Sequence, residues 1–100
     1  MLVRIHSATR HIVALCDSDL IGQRILDKDG LRQIDLTGPF FRGEEKNQKE
    51  VIGIIQNMRR EDASFNIVGK ESCATALKAK LISPNGISII GEIPTALTLL

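Results

Sequence analysis

Phe65-Asn66-Ile67-Val68-Gly69-Lys70-Glu71-Ser72 is the stretch on which the fold turns. A short apolar segment stops at Gly69, and a helical pattern begins within the next few residues. A strand that bends at a glycine into a helix is an ordinary α/β corner. The same corner can place free N–H groups and a lysine at a helix N-terminus, where an anion is stabilised.

Downstream, residues 70–81 read as a helix. Cys73, Ala76, Leu77, Lys80 and Leu81 lie near one stripe, and Lys80 is expected to bury its stem and keep its ammonium in water. Ala74, Ala76 and Ala79 permit close approach to a sheet. Ser83-Pro84-Asn85-Gly86 is a turn and Ile87–Ile90 a strand. Gly91-Glu92-Ile93-Pro94 interrupts it, and Thr95–Leu100 is a last strand. Residues 64–90 therefore form a β-α-β unit, whose connection is expected to be right-handed.

Upstream, Asn47-Gln48-Lys49-Glu50 has the form of a capping box. Val51, Ile52, Ile55 and Met58 then recur at helical spacing. The expected helix covers residues 44–60, with Glu44 and Glu45 at its start and Arg59-Arg60 at its end, which suits the helix dipole. Leu2–His6 and His11–Cys16 read as a hairpin whose second strand is buried on both faces. Asp17 is a good N-cap for a single turn that stops at Gly22. Gln23–Leu26 and Leu31–Leu36 flank Asp29-Gly30, a strong hairpin-turn signal. Antiparallel hairpins followed by a β-α-β unit predict an α+β fold: one domain over residues 1–100, with a mixed sheet and two main helices packed on it.

The composition is that of an ordinary globular domain, 43% hydrophobic and 25% charged. The formal net charge is +1, so a general electrostatic grip on nucleic acid or membrane is not expected, while a local patch remains open. The charges are evenly spread and form no tail. Cys16 and Cys73 match no metal spacing and read as buried thiols. No apolar run approaches the ~20 residues of a membrane span, and Arg4, His6 and Arg10 interrupt any signal-peptide layout. The expected location is the cytoplasm.

Few residues carry chemistry. At the Gly69 junction, the N–H groups of Gly69, Lys70, Glu71 and Ser72, the Lys70 charge and the Ser72 hydroxyl are a candidate anion site for a phosphate of RNA or a nucleotide. A Walker loop is not present, because only Gly69-Lys70 of its pattern occurs. The plain alternative is a backbone bend with a helix cap. In Pro39-Phe40-Phe41-Arg42-Gly43, two adjacent aromatics point to opposite faces if the backbone is extended. Phe41 beside Arg42 is the candidate for stacking on a base or anchoring a partner, against a plain core role. His6 and His11 lack the thiol or carboxylate that would complete a metal set. Asp17, Asp19, Asp27 and Asp29 fit caps and turns better than a calcium loop. No nucleophile has an assignable base, so no catalytic residue and no cofactor are expected.

Four blocks of sequence resemble a known family. They are Ala14-Leu15-Cys16-Asp17 with Leu20-Ile21-Gly22, Phe40-Phe41-Arg42-Gly43, Asn66-Ile67-Val68-Gly69-Lys70-Glu71-Ser72, and Ile90-Gly91-Glu92-Ile93-Pro94. Together they are similar to a domain of unknown function, number 424, found in small archaeal proteins. The likeness spans essentially the whole chain and implies an archaeal cytoplasmic protein without an established activity. The chain departs from the family pattern after the late proline. There a polar Pro-His-Ala-Gln-like run is expected, and Pro94-Thr95-Ala96-Leu97 stands instead. The missing histidine weighs against an enzyme.

Three functional expectations follow. The first is a non-enzymatic module that binds RNA or a ribonucleoprotein through Phe41, Arg42 and Lys70. The second is a protein or enzyme for a small phosphorylated ligand at Gly69–Ser72. The third is an interaction protein that forms a homodimer through the uncharged C-terminal strand.

Overall fold

The computed structural model describes residues 1–99. Eight strands and two helices follow in the order β1 (Leu2–Ser7), β2 (His11–Cys16), β3 (Arg24–Leu26), β4 (Gln33–Asp35), β5 (Glu44–Glu45), α1 (Gln48–Arg60), β6 (Ser64–Val68), α2 (Lys70–Lys78), β7 (Ser88–Ile90) and β8 (Ile93–Thr98). Six strands form one mixed sheet in the order β5-β1-β2-β6-β8-β7, while β3 and β4 pair as a separate hairpin. This is an α+β fold. Among the described residues, no helix is long and apolar enough to cross a membrane.

The sheet is built on β2 and β6, which run parallel from Ile12↔Ser64 to Cys16↔Val68. All the other pairings are antiparallel. Alternation along these two strands sends two sets of side chains to opposite faces. Val13, Leu15, Phe65 and Ile67 face the helices and join Val51, Ile55, Cys73 and Ala76 in the main core. Ala14, Cys16 and Val68 face the other way and join Leu20, Ile34, Leu36 and Phe41 beneath the β3–β4 hairpin. The hairpin thus lids one end of the face that the helices leave uncovered.

The capping box of α1 forms as its sequence suggests. Asn47 Oδ1 accepts from the Glu50 N–H at 2.8 Å, and Glu50 Oε1 accepts from the Asn47 N–H at 3.0 Å. The helix therefore begins after Asn47. Glu44 and Glu45 are not its first turn but the short strand β5, paired with Val3 and Leu2, and the Lys46 N–H donates to the Met1 carbonyl at 2.8 Å. A distant strand edge outweighs the local helix signal at these two residues.

The predicted β-α-β unit is present in direction but not in adjacency. β8 lies between β6 and β7 and pairs with both, so the adjacent parallel partner of β6 is β2. Ile93 and Pro94 belong to β8 rather than to a break. β8 is paired with β7 over Ile93–Thr95 and with β6 over Thr95–Thr98, so residues 96–98 run past β7. Leu100, the last residue of the strand expected from sequence, lies outside the described residues.

Helix α2 ends at Lys78, three residues short of the expected Leu81. Lys80 has φ +59° and is exposed, so it closes the helix in a left-handed conformation instead of snorkelling from the apolar stripe. The Leu81 N–H reaches back to the Ala76 carbonyl at 3.0 Å, and α1 ends the same way, with Asp62 at φ +55° and the Ala63 N–H on the Met58 carbonyl at 3.1 Å. An L-residue other than Asn or Asp resists this conformation by about 1–2 kcal/mol. Lys80→Gly is therefore expected to raise stability by about 1 kcal/mol, and Asp62→Gly by less. Urea unfolding with an unchanged slope and a higher midpoint for Lys80→Gly checks this; an unchanged or lower midpoint contradicts it.

Candidate functional site

The Gly69 junction already holds an anion, and that anion belongs to the protein. Asp17 follows β2, and its N–H donates to the Val68 carbonyl at 3.0 Å, extending the parallel ladder by one bond. This brings the Asp17 carboxylate over the first turn of α2. Its Oδ2 accepts from the Glu71 N–H at 3.1 Å. Its Oδ1 accepts from the Ser72 N–H at 2.8 Å and from the Ser72 hydroxyl at 2.7 Å. Asp17 is buried and Ser72 is 0% exposed. A buried carboxylate needs such compensation, and a helix N-terminus supplies it with fixed donors and a favourable dipole.

The phosphate-cradle reading of Gly69–Ser72 is thereby corrected. The donors at Glu71 and Ser72 are taken, the Gly69 N–H donates to the Pro94 carbonyl at 2.9 Å, and Ser72 is not at the surface. Lys70 and Glu71 are exposed side chains outside this arrangement. Asp17 was expected to cap its own short turn, but its side chain makes no such bond; only its carbonyl does, to the Leu20 N–H at 3.1 Å. No local signal links Asp17 to Ser72. The link exists only once β2 and β6 are known to be neighbours.

Gly69 is needed for this contact. Its φ is +115°, and a Cβ there would stand 2.2 Å from Asp17 Cγ. The same carboxylate bears on both cysteines. Burial first, and the Asp17 charge second, push the Cys73 thiol up to about 11. Burial followed by Asp17 does the same to Cys16, also to about 11. Both thiols are protonated hydrophobes at neutral pH.

The aromatic loop is placed differently from the sequence-based expectation. Phe41 is 9% exposed and belongs to the lidded core, whereas Phe40 is 38% exposed. Their rings meet edge to face at 5.1 Å. Phe40 also stacks on His6, with centroids 4.5 Å apart and planes 12° from parallel. The loop is strapped across β1 by two side chains. Arg4 Nη1 donates to the Pro39 carbonyl at 2.8 Å, and His6 Nε2 donates to the Phe40 carbonyl at 2.9 Å. The carbonyl can only accept, so Nε2 is the donor in this bond. Gly43 lets the strap leave along β1, since a Cβ there would meet the Val3 carbonyl oxygen at 2.0 Å. Arg42 is exposed; its N–H donates to the Pro39 carbonyl at 3.0 Å, and among the described residues its guanidinium has no hydrogen bond or ion pair.

Beside the strap lies a part of the sheet that neither helix nor hairpin covers. The pairings set His6, Ile12 and Ser64 in one row across this face, and Arg4, Ala14, Asn66 and Leu97 in the next. Leu97 is 57% exposed. Between this face and β4 runs a groove of about 420 Å³, lined among others by Ile34, Asp35, Phe41, Asn66, Thr95 and Leu97. Phe41 is thus both a wall of the groove and the ring on which Phe40 leans. Sequence reasoning missed His6, Arg4 and Asn66 as members of this site. For Asn66 the available signal was its place between the buried Phe65 and Ile67; Arg4 and His6 flank the exposed Ile5 and gave no such signal.

Elsewhere several titratable groups brace turns and loops. Asp27 Oδ1 accepts from the Gly91 N–H at 3.1 Å, and Oδ2 accepts from Arg32; the Gly91 amide first and Arg32 second hold this carboxyl below its usual range. Asp29 accepts from the Leu31 N–H within its turn. His11 pairs with the Ser7 hydroxyl. Among the described residues, no group of His, Cys, Asp and Glu is arranged to hold a metal ion.

The junction makes a direct prediction. Gly69→Ala forces both a disfavoured φ and a collision with Asp17, and is expected to destabilise the protein by about 2–4 kcal/mol. Denaturant unfolding measures this. A loss near the ordinary Gly→Ala range of ~1 kcal/mol or less would show that the Gly69–Asp17 contact does not constrain the fold.

A crystal structure of an uncharacterized conserved protein from Methanopyrus kandleri has the same fold, with a TM-score of 0.84 at 23% identity, covering 97% of this chain and 88% of that one. No curated protein matches the chain. A family model described as "Protein of unknown function (DUF424)" matches residues 5–99. With that match running over nearly its whole length, the chain belongs to the DUF424 family.

Proposed function

We propose that this protein is a non-enzymatic binding module for single-stranded RNA, alone or within a ribonucleoprotein. The observation that carries the reading is the His6–Phe40 stack, with Phe40 exposed and His6 half-buried, flanked in sequence by Arg4 and Arg42 and opening onto an uncovered sheet face. Every base has a π-face, and stacking on an aromatic contributes about 1–3 kcal/mol per base without regard to sequence. His6 and Phe40 already form a two-ring pile, so a base laid on it continues an existing stack. Neither Arg4 nor Arg42 has a carboxylate partner among the described residues, and although Arg4 also holds the Pro39 carbonyl, both charges remain available to phosphates. This reading replaces Phe41 by Phe40 as the stacking ring and leaves Arg42 in its role. Lys70 has no part in it.

The near-zero net charge limits the electrostatic share. With about two phosphates neutralised, affinity should fall with a log–log salt slope of about −1.4, far shallower than for a basic nucleic-acid binder. The second expectation, a phosphorylated ligand at Gly69–Ser72, is less well supported, because Asp17 takes the Glu71 and Ser72 donors and the Pro94 carbonyl takes that of Gly69.

Fluorescence polarisation with labelled single-stranded RNA at low salt tests the reading. Phe40→Ala is expected to weaken binding by about tenfold while the protein stays folded, its unfolding midpoint lowered only modestly by the lost ring contacts. An absence of binding by the unaltered protein, or equal binding by Phe40→Ala, overturns it.

A further inference from the structure

Asn66 is a polar residue of the central sheet that packing alone does not explain. It sits in the middle of β6, between Phe65 and Ile67, which point into the main core. It therefore points to the opposite face, where its cross-strand neighbours are Ala14 and Leu97. Asn is depleted in strands because its carboxamide gains nothing from an apolar neighbourhood. Here it is half-buried, and its side chain has no hydrogen-bond partner among the described residues. A valine at this position would extend the apolar floor to Val68. The carboxamide instead lines the groove that runs beneath β4.

We infer that this groove is a nucleobase pocket in which the Asn66 carboxamide reads the edge of one base. The inference rests on the RNA reading and adds selectivity to it. A carboxamide presents one acceptor and one donor side by side, the complement of a base edge that carries a donor next to an acceptor. The rest of the lining suits a flat aromatic guest. Phe41 forms one wall and Leu97 an exposed apolar flank, while Thr95 and Asp35 add polar atoms at the margin. At about 420 Å³ the groove falls in the ordinary range of ligand sites. Its wall and the outer stack are joined, since the Phe40 ring rests on Phe41. One base stacked on His6–Phe40 and an adjacent base turned into the groove make a two-base footprint. Stacking supplies affinity at the first position, and hydrogen bonding supplies discrimination at the second.

Short homopolymers of adenylate, cytidylate and uridylate separate the two contributions. The unaltered protein is expected to bind the best of the three about tenfold more tightly than the worst. Asn66→Leu, which keeps the size and removes the hydrogen bonds, is expected to bring the three within about twofold of one another. Asn66→Asp, which replaces the donor by a second acceptor, is expected to favour the amino-bearing adenylate and cytidylate over uridylate. Phe40→Ala should weaken all three alike and preserve their ratio. If the unaltered protein binds all three but does not discriminate, or Asn66→Leu keeps the original spread, the pocket is refuted while the stacking site stands. If no homopolymer binds at all, the RNA reading falls and the pocket falls with it.

Discussion

The Asp17 carboxylate takes three hydrogen bonds from the first turn of α2, and the geometry around it radiates from that contact. Its backbone prolongs the parallel pairing of β2 with β6, and its side chain holds the helix that leaves β6. One residue therefore fixes the register of the two central strands and the exit direction of α2 together. The helix end gains a charged cap, and the buried charge gains fixed donors in place of water. Gly69 has to be a glycine to let the carboxylate in. Ser72 has to be small and to carry a hydroxyl. With both cysteines close to this charge and buried, their thiols have no route to reactivity near neutral pH.

That constraint also decides where a ligand can bind. A helix N-terminus with free donors is a ready anion site, but here the chain supplies the anion itself. The helices cover one face of the sheet, and the β3–β4 hairpin covers one end of the other. What is left is the strip formed by His6, Ile12, Asn66 and Leu97, bounded by the Phe40 strap. Two features there offer themselves to a ligand: a partly exposed ring stack and an unpartnered carboxamide in a central strand. The proposed function places the first under one base and the second against the edge of the next.

Much of this could be read from sequence, where the determinants are local. Asn47 and Glu50 lie three residues apart and formed the capping box they spell. Asp29-Gly30 made its hairpin, and the period of Val51 and Ile55 marked the buried face of α1. The α+β class followed from such pieces. The errors share a physical cause, which is specification at a distance. Glu44 and Glu45 look like a helix start until the edge of β1 claims them. Gly91-Glu92-Ile93-Pro94 looks like a break until β8 inserts between β6 and β7. Phe40 and Phe41 differ by one residue, and only the lid over Ala14 and Val68 decides which of them is buried. Asp17 and Ser72 are bonded across 55 positions of chain, a separation no periodicity or spacing rule reaches.

The central claim is that Asp17 occupies the N-terminus of α2. Amide hydrogen exchange at Glu71 and Ser72 tests it most directly, because the first N–H groups of a helix have no partner within the helix itself. In the unaltered protein both amides should be protected well beyond an exposed first turn. In Asp17→Ala that protection should be lost, with a global destabilisation of about 2–4 kcal/mol. Equal protection of both amides in the two proteins would contradict the account.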